Sequence, residues 1–173
     1  MCSSDLYELG GGTFDVSVVK VQGENIEVVA TEGVSKLGGD DFDRLLREII
    51  KKKYKEISGS DIGDEEISLS DIVKLKIKLS DRERSPFMVD GEVLEVFRHE
   101  FEDAISSLIM QTEILCENVL DEAQLSTSDV AGVLLAGGST RIPAVLRSIQ
   151  KVFKQEPIST LNVDEVVALG AAL

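Results

Sequence analysis

The stretch LYELGGGTFDVSVVKV, residues 6–21, constrains the fold of this chain more than any other. It predicts a strand, a glycine turn and a second strand, because Phe14, Val16 and Val18 alternate with polar residues at the period of a sheet. Residues 10–12 are glycines, so the backbone there can take positive φ and its N–H groups can approach a phosphate closely. The alternative is a simple tight hairpin turn with acidic neighbours.

Polar side chains flank this turn. Thr13 adds a hydroxyl directly after the glycines, and Glu8 and Asp15 supply carboxylates on either side. Such carboxylates can hold a magnesium ion through water or orient an attacking water. The turn is therefore a candidate phosphate and magnesium site.

Composition limits the remaining possibilities. A chain of 173 residues that is 43% hydrophobic can form one sizeable domain or two small lobes. The net charge of -14 argues against general binding to nucleic acid or an anionic membrane, although backbone amides can still bind a nucleotide locally. Two distant cysteines, Cys2 and Cys116, and no apolar run of signal or membrane length predict a cytoplasmic protein.

The following segments alternate between strand and helix patterns. Residues 26–35 predict a third strand, which would complete an antiparallel meander. Further along we predict a helix after Gly38 and Gly39, a helix from Ser68 or Ser70 to about Ser80, a hairpin over 87–96 around Asp90 and Gly91, and a long amphipathic helix over 101–123.

A second glycine junction follows at GGSTR, residues 137–141. An apolar strand pattern over 129–136 leads into it, and Pro143 suits the first turn of the next helix. The N–H groups at a helix N-terminus attract phosphate or a nucleoside, and Arg141 can add a cation or a flat stacking surface. A last helix is predicted to begin at Asn162 or Asp164.

The common nucleotide motifs are absent from the sequence. Neither glycine cluster is followed by the lysine of GxxxxGK[ST], and Asp15 occupies the place of the third glycine of GxGxxG. Two glycine junctions, one with a threonine and one with an arginine, are nevertheless present on either side of a helical insertion. The pair is more specific than either junction alone.

Four stretches resemble the ATPase domain of the seventy-kilodalton heat-shock chaperones, in matching order and spacing: LGGGTFDVS, KLGGDDFD, GGSTRIP and NVDEVVALGAA. The resemblance implies an α/β fold, the second lobe of an actin-like, ribonuclease-H-like ATPase with a mixed sheet and helices. A smaller α+β subdomain would be inserted in it. We expect the core subdomain at 1–56 and 126–173 and the outer subdomain at 57–125.

The resemblance also implies a site for ATP or ADP with Mg²⁺. Glu8, Thr13 and Asp15 would be catalytic, with Glu8 and Asp15 facing magnesium through water. The implied nucleotide-binding residues are Gly10, Gly11, Gly12, Thr13, Gly39, Asp40, Lys76, Ser80, Gly137, Gly138, Ser139, Arg141, Ile142 and Asp164.

Each group has an implied partner on the nucleotide. The first turn would bind the β- and γ-phosphates, and Gly39 and Asp40 would lie near phosphate and ribose. Lys76 and Ser80 would touch ribose and base. The second junction would contact the nucleoside, with Ile142 and Asp164 at the adenine end.

Three positions depart from the pattern of the family. Glu8 replaces the usual aspartate, which keeps the charge and moves the carboxylate by one methylene. Val73 replaces a glutamate that bonds the ribose, and Ile77 replaces an arginine that stacks on adenine, so the cation–π contribution is lost. These departures imply a divergent branch with altered nucleotide affinity.

The resemblance places other parts of the chaperone outside this sequence: the first lobe with its phosphate loop and lysine, the linker, and the domain that binds unfolded polypeptide. The final apolar helix pattern, residues 164–173, stops without a cap, so we expect a fragment. The resemblance implies that the full-length protein acts in protein folding and the stress response, with exchange factors and co-chaperones as its partners.

Two other functions compete with this one. The chain could be a non-enzymatic interaction lobe that binds an exchange factor or co-chaperone without ATP. It could also be a lobe of another actin-like ATPase, such as a filament protein or sugar kinase. The presence of GGSTRIP beside KLGGDDFD argues against that last option.

The sequence predicts that the 173-residue chain alone has no useful ATP hydrolysis, because half a cleft cannot exclude water or hold a γ-phosphate from both sides. A phosphate-release assay checks this. Turnover that disappears in Thr13→Ala would contradict it.

Overall fold

A computed structural model of the chain describes residues 2–23 and 25–158. The strands in the described part are β1 (Cys2–Leu9), β2 (Phe14–Gln22), β3 (Asn25–Val34), β4 (Arg84–Val89), β5 (Glu92–Phe97) and β6 (Val130–Ala136). The α-helices there are α1 (Gly39–Ser58), α2 (Leu69–Asp81), α3 (Arg98–Glu122) and α4 (Pro143–Phe153). No helix among these residues is long and apolar enough to cross a bilayer.

The larger sheet is mixed and has the strand order β3-β2-β1-β6. β1, β2 and β3 form the predicted antiparallel meander, and β6 pairs with β1 in parallel. Since parallel strands end at the same edge of a sheet, Ala136 at the end of β6 lies opposite Glu8 near the end of β1. This pairing places the two glycine junctions at one edge.

One face of this sheet forms a core. Phe14, Val16 and Val18 are fully buried, as their alternation predicts. The ring of Tyr7 lies 4.8 Å from that of Phe14, and its hydroxyl donates to the Thr112 hydroxyl at 3.0 Å. The two rings pack within the sheet, and the buried hydrogen bond joins the sheet to α3 at Thr112.

The chain divides into two compact units. Residues 1–39 and 108–173 form the first, and residues 40–107 form the second. The second unit begins and ends earlier than the outer subdomain expected at 57–125, whose limits stay a prediction.

In the second unit, helical periodicity and turn chemistry agree with the sequence. Phe42, Leu46 and Ile50 form a buried stripe on α1. Asp90 and Gly91 both have positive φ, 48° and 79°, which matches the two-residue turn predicted between β4 and β5. The Tyr54 hydroxyl of α1 donates to the Asp90 carboxylate at 2.7 Å and holds the hairpin tip.

An acidic side chain is buried in the first unit. Asp5 on β1 is fully buried, and within the described residues neither of its carboxylate oxygens accepts a hydrogen bond. Burial raises the pKa of Asp5 to about 7. The negative charge in turn contributes, after burial itself, to the raised pKa of the buried Cys116 thiol.

We expect Asp5→Ala to stabilise the chain, by an amount that grows with pH. Below the ordinary aspartate pKa, Asp5 is protonated in both the folded and the unfolded state, so its burial carries no penalty for a charge. Between about pH 4 and pH 7 the unfolded state loses its proton first, so wild-type stability falls, by roughly 4 kcal/mol in all. Urea unfolding of both proteins at pH 4.5, 6 and 8 measures the difference.

Asp103→Ala is the control, because Asp103 is exposed on α3. It should leave the free energy of unfolding nearly unchanged at each pH. A difference between wild type and Asp5→Ala that does not vary with pH would contradict the prediction.

Candidate functional site

The turn between β1 and β2 presents unpaired backbone donors. The Gly10 N–H donates to the Thr13 carbonyl at 3.1 Å and closes the turn. Gly11, Gly12 and Thr13 are exposed, and among the described residues the N–H groups of Gly11 and Gly12 donate to no protein acceptor. Exposed N–H groups of successive residues in a turn can bind an anion.

Glu8 and Asp15 meet across the base of this turn. They are direct partners in the antiparallel register of β1 and β2, so both side chains project from the same face of the sheet. Glu8 is half-buried and Asp15 is exposed. Two carboxylates side by side repel each other, and a hydrated cation would relieve that repulsion.

Gly33 on β3 leaves room for one of these carboxylates. It is the partner of Asp15 on the other side of β2. A Cβ at Gly33 would lie 2.5 Å from Asp15 Oδ1 and 2.9 Å from the Phe14 carbonyl oxygen. The Asp15 carboxylate therefore occupies the space that a side chain at position 33 would fill.

The second glycine junction packs against the first. Gly137 has a φ of 85°, and a Cβ there would collide with the Leu9 carbonyl. A short 3-10 turn over residues 138–141 follows, and α4 then begins at Pro143, as predicted. The Ser139 hydroxyl, which is buried, donates to the Gly10 carbonyl at 3.1 Å.

A third glycine cluster, Gly38 and Gly39, completes the arrangement within the first unit. The Gly39 N–H also donates to the Gly10 carbonyl, at 3.0 Å. A Cβ at Gly38 would lie 2.5 Å from the Gly11 carbonyl oxygen. Sequence reasoning assigned a role to Gly39 but missed Gly38, although the glycine pair itself was a visible signal of close backbone approach.

Arg141 and Ile142 lie at the end of the second junction. Arg141 is exposed and Ile142 is buried, so only the arginine side chain can reach a ligand without rearrangement. Asp164, which was assigned to the adenine end, lies outside the described residues.

The remaining predicted residues belong to the second unit. Asp40 is exposed in the first turn of α1. Lys76 and Ser80 lie one turn apart on α2, and the Ser80 hydroxyl donates to the Lys76 carbonyl at 3.2 Å. Ile77, between them, is 59% exposed, and Val73 is half-buried.

Lys76 forms an ion pair that the sequence did not reveal. Its ammonium lies 2.9 Å from the carboxylate of Asp43 on α1, and the two side chains are only 13% and 5% exposed. Burial raises the pKa of Asp43, and Lys76 opposes that rise. A lysine beside a buried carboxylate is held in one position, which favours a defined role for its charge.

No group of three or more metal-binding side chains occurs in residues 2–23 and 25–158. Glu8 and Asp15 are a pair only, and a pair suits a cation that keeps most of its water, as Mg²⁺ does. The donor set thus fits magnesium held indirectly.

The sequence matches the Hsp70 protein family over residues 5–173. It is 39% identical over 168 residues to the chaperone protein HscA of Buchnera aphidicola subsp. Schizaphis graminum, covering 97% of this chain and 28% of that protein. It is 38% identical to the chaperone protein HscA of Yersinia enterocolitica, again over 168 residues, covering 97% of this chain and 27% of that protein.

The chain therefore belongs to the Hsp70 family, as its four motifs predicted. Its mixed α/β fold is that of a lobe of the nucleotide-binding domain. It spans about 28% of the length of the curated relatives that it matches.

We expect Lys76→Met to lower the free energy of unfolding by about 3 kcal/mol, because it leaves the buried Asp43 carboxylate without its partner. Adding Asp43→Leu should restore most of the loss, since the uncompensated charge is then gone. Urea unfolding of the single and double variants measures both effects.

Lys74→Met is the matched control on the same helix. Lys74 pairs with Asp71 in solvent, with side chains 65% and 54% exposed, so its loss should cost no more than about 0.5 kcal/mol. Equal losses for Lys74→Met and Lys76→Met would show that the Lys76–Asp43 pair is not energetically special.

Proposed function

We propose that this chain binds ATP and ADP with Mg²⁺ as the nucleotide-binding lobe of an Hsp70-type chaperone. The observation that carries the proposal is the turn over residues 10–13, which is exposed at Gly11, Gly12 and Thr13 and whose backbone is held by contacts from two other glycine clusters. Such a rigid backbone cradle suits the phosphates of a nucleotide.

Different residues are proposed to contact different parts of the nucleotide. Gly11, Gly12 and Thr13 would hold the β- and γ-phosphates, with Gly10 in the same turn. Glu8 and Asp15 would face the magnesium ion through water, and the ion would offset the charge of the phosphates. Glu8, Thr13 and Asp15 are accordingly the proposed catalytic residues.

The other proposed contacts come from the remaining junctions and from the second unit. Gly137, Gly138, Ser139, Arg141 and Ile142 would lie toward the nucleoside, with Gly39 nearer the phosphates. Asp40, Lys76 and Ser80 are the proposed contributions of the second unit to phosphate, ribose and base. The fixed charge of Lys76 supports its part in this set.

In the full-length protein, ATP hydrolysis would change the affinity of a separate domain for unfolded polypeptide. Exchange factors and co-chaperones are the proposed partners, and the cytoplasm is the proposed location. An exposed apolar pair on the β4–β5 hairpin, Met88 and Val93, supports a partner surface on the second unit, because the two side chains are 76% and 59% exposed.

The first test is isothermal titration of Mg-ATP into the 173-residue chain and its Thr13→Ala variant. We expect wild type to release heat and Thr13→Ala to bind at least tenfold more weakly, because the exposed hydroxyl is lost from the cradle. Thr127→Ala is the control, since Thr127 lies before β6, at the far end of that strand from Gly137.

Wild type that gives no heat would refute nucleotide binding by this chain. Equal binding by wild type and Thr13→Ala would remove Thr13 from the site. If Thr127→Ala weakens binding as much as Thr13→Ala, the loss is a general effect of destabilisation and the assignment to the turn fails.

A further inference from the structure

We propose that the Ser139 hydroxyl is a positioning group that orients the N–H of Gly11 toward the phosphates, in addition to any contact with the nucleoside. The inference rests on the proposed function of the glycine turn. It starts from one atom, the Gly10 carbonyl oxygen, which accepts the Ser139 hydroxyl at 3.1 Å and the Gly39 N–H at 3.0 Å.

The proton of Ser139 is committed to this carbonyl. A serine hydroxyl has a single proton to donate, and the Ser139 hydroxyl donates it to the Gly10 carbonyl. Ser139 itself is only 6% exposed. Its hydroxyl therefore has no second proton for a ligand. As a donor, the Ser139 hydroxyl therefore acts on the site through Gly10, and its lone pairs stay open to a donor on the nucleoside.

Holding the Gly10 carbonyl fixes the next amide. The carbonyl of Gly10 and the N–H of Gly11 belong to one planar trans peptide unit, in which they point in opposite directions. Two donors on the buried side of this unit hold its oxygen inward, so the Gly11 N–H points outward. Without them, glycine on both sides would leave this peptide free to rotate.

The following peptide is restrained by packing. Because Gly38 has no Cβ, the Gly11 carbonyl can approach it to a distance that any side chain would prevent. The Gly12 N–H is opposite that carbonyl in the same peptide unit. The neighbouring junctions thus orient both N–H groups, and Ser139 supplies the only one of these restraints that comes from a side chain.

The chain offers a matched control for this hydroxyl. Thr140 is also buried, and its hydroxyl donates to the Gly137 carbonyl at 2.7 Å, within its own turn. Thr140→Val removes a buried hydroxyl hydrogen bond beside Ser139 without touching Gly10. Ser139→Ala and Thr140→Val should therefore lower the unfolding temperature by similar amounts.

The first readout is the ¹⁵N relaxation of the Gly11 amide in the nucleotide-free chain. We expect an order parameter near 0.85 in wild type and in Thr140→Val, and a fall below about 0.7 in Ser139→Ala. Ser139→Thr, which keeps the hydroxyl, should restore the wild-type value. An unchanged Gly11 order parameter in Ser139→Ala would overturn the proposal.

The second readout compares Mg-ADP with inorganic tripolyphosphate by titration calorimetry. Positioning of the phosphate cradle predicts that Ser139→Ala weakens both ligands by the same factor, about tenfold. A loss for Mg-ADP with none for tripolyphosphate would make Ser139 a nucleoside contact alone and would overturn the proposal.

The two tests separate this inference from the proposed function. If wild type binds neither ligand, nucleotide binding by this chain fails. The relaxation experiment still decides whether Ser139 orients the Gly11 peptide, because it needs no ligand.

Discussion

The parallel pairing of β1 with β6 is the constraint on which the candidate site depends. It brings the end of β6 beside the end of β1, so that Gly137 can pack on the Leu9 carbonyl and Ser139 can reach Gly10. A shift of this register by one residue would turn every side chain of β6 to the other face of the sheet. The register of β1 and β6 thus determines whether the residues of the site can meet at all.

The local elements were predictable from the sequence because their causes are local. The alternation from Phe14 to Val18 predicts β2, and Asp90-Gly91 predicts the β4–β5 turn with its positive φ angles. The four motifs predicted the family, which the match over residues 5–173 confirms. Close backbone approach at the glycine clusters was also predictable, because it depends on the local absence of a side chain.

The contacts between distant residues were not predictable. Asp43 follows Phe42 on a helix and has nothing in its neighbourhood to indicate a buried pair with Lys76 on another helix. Gly33, a glycine inside a strand, did carry a signal, since such glycines mark sites where another group approaches closely. Only the register of β2 and β3 shows that this group is the Asp15 carboxylate. Ser139 was assigned to the nucleoside, and its bond to Gly10 adds a second role to that prediction.

The same strand pairing has a consequence for how the protein folds. Residues 3–8 of β1 pair with residues 130–136 of β6, so a loop of more than a hundred residues must close before the junctions can meet. Contacts of such long range slow folding, because the entropy of closure is lost before any contact energy is gained. During synthesis the glycine turn emerges before the second junction, which exists only after Ser139 has left the ribosome. The candidate site is therefore assembled only once both junctions have been made, by tertiary folding and not by the turn alone.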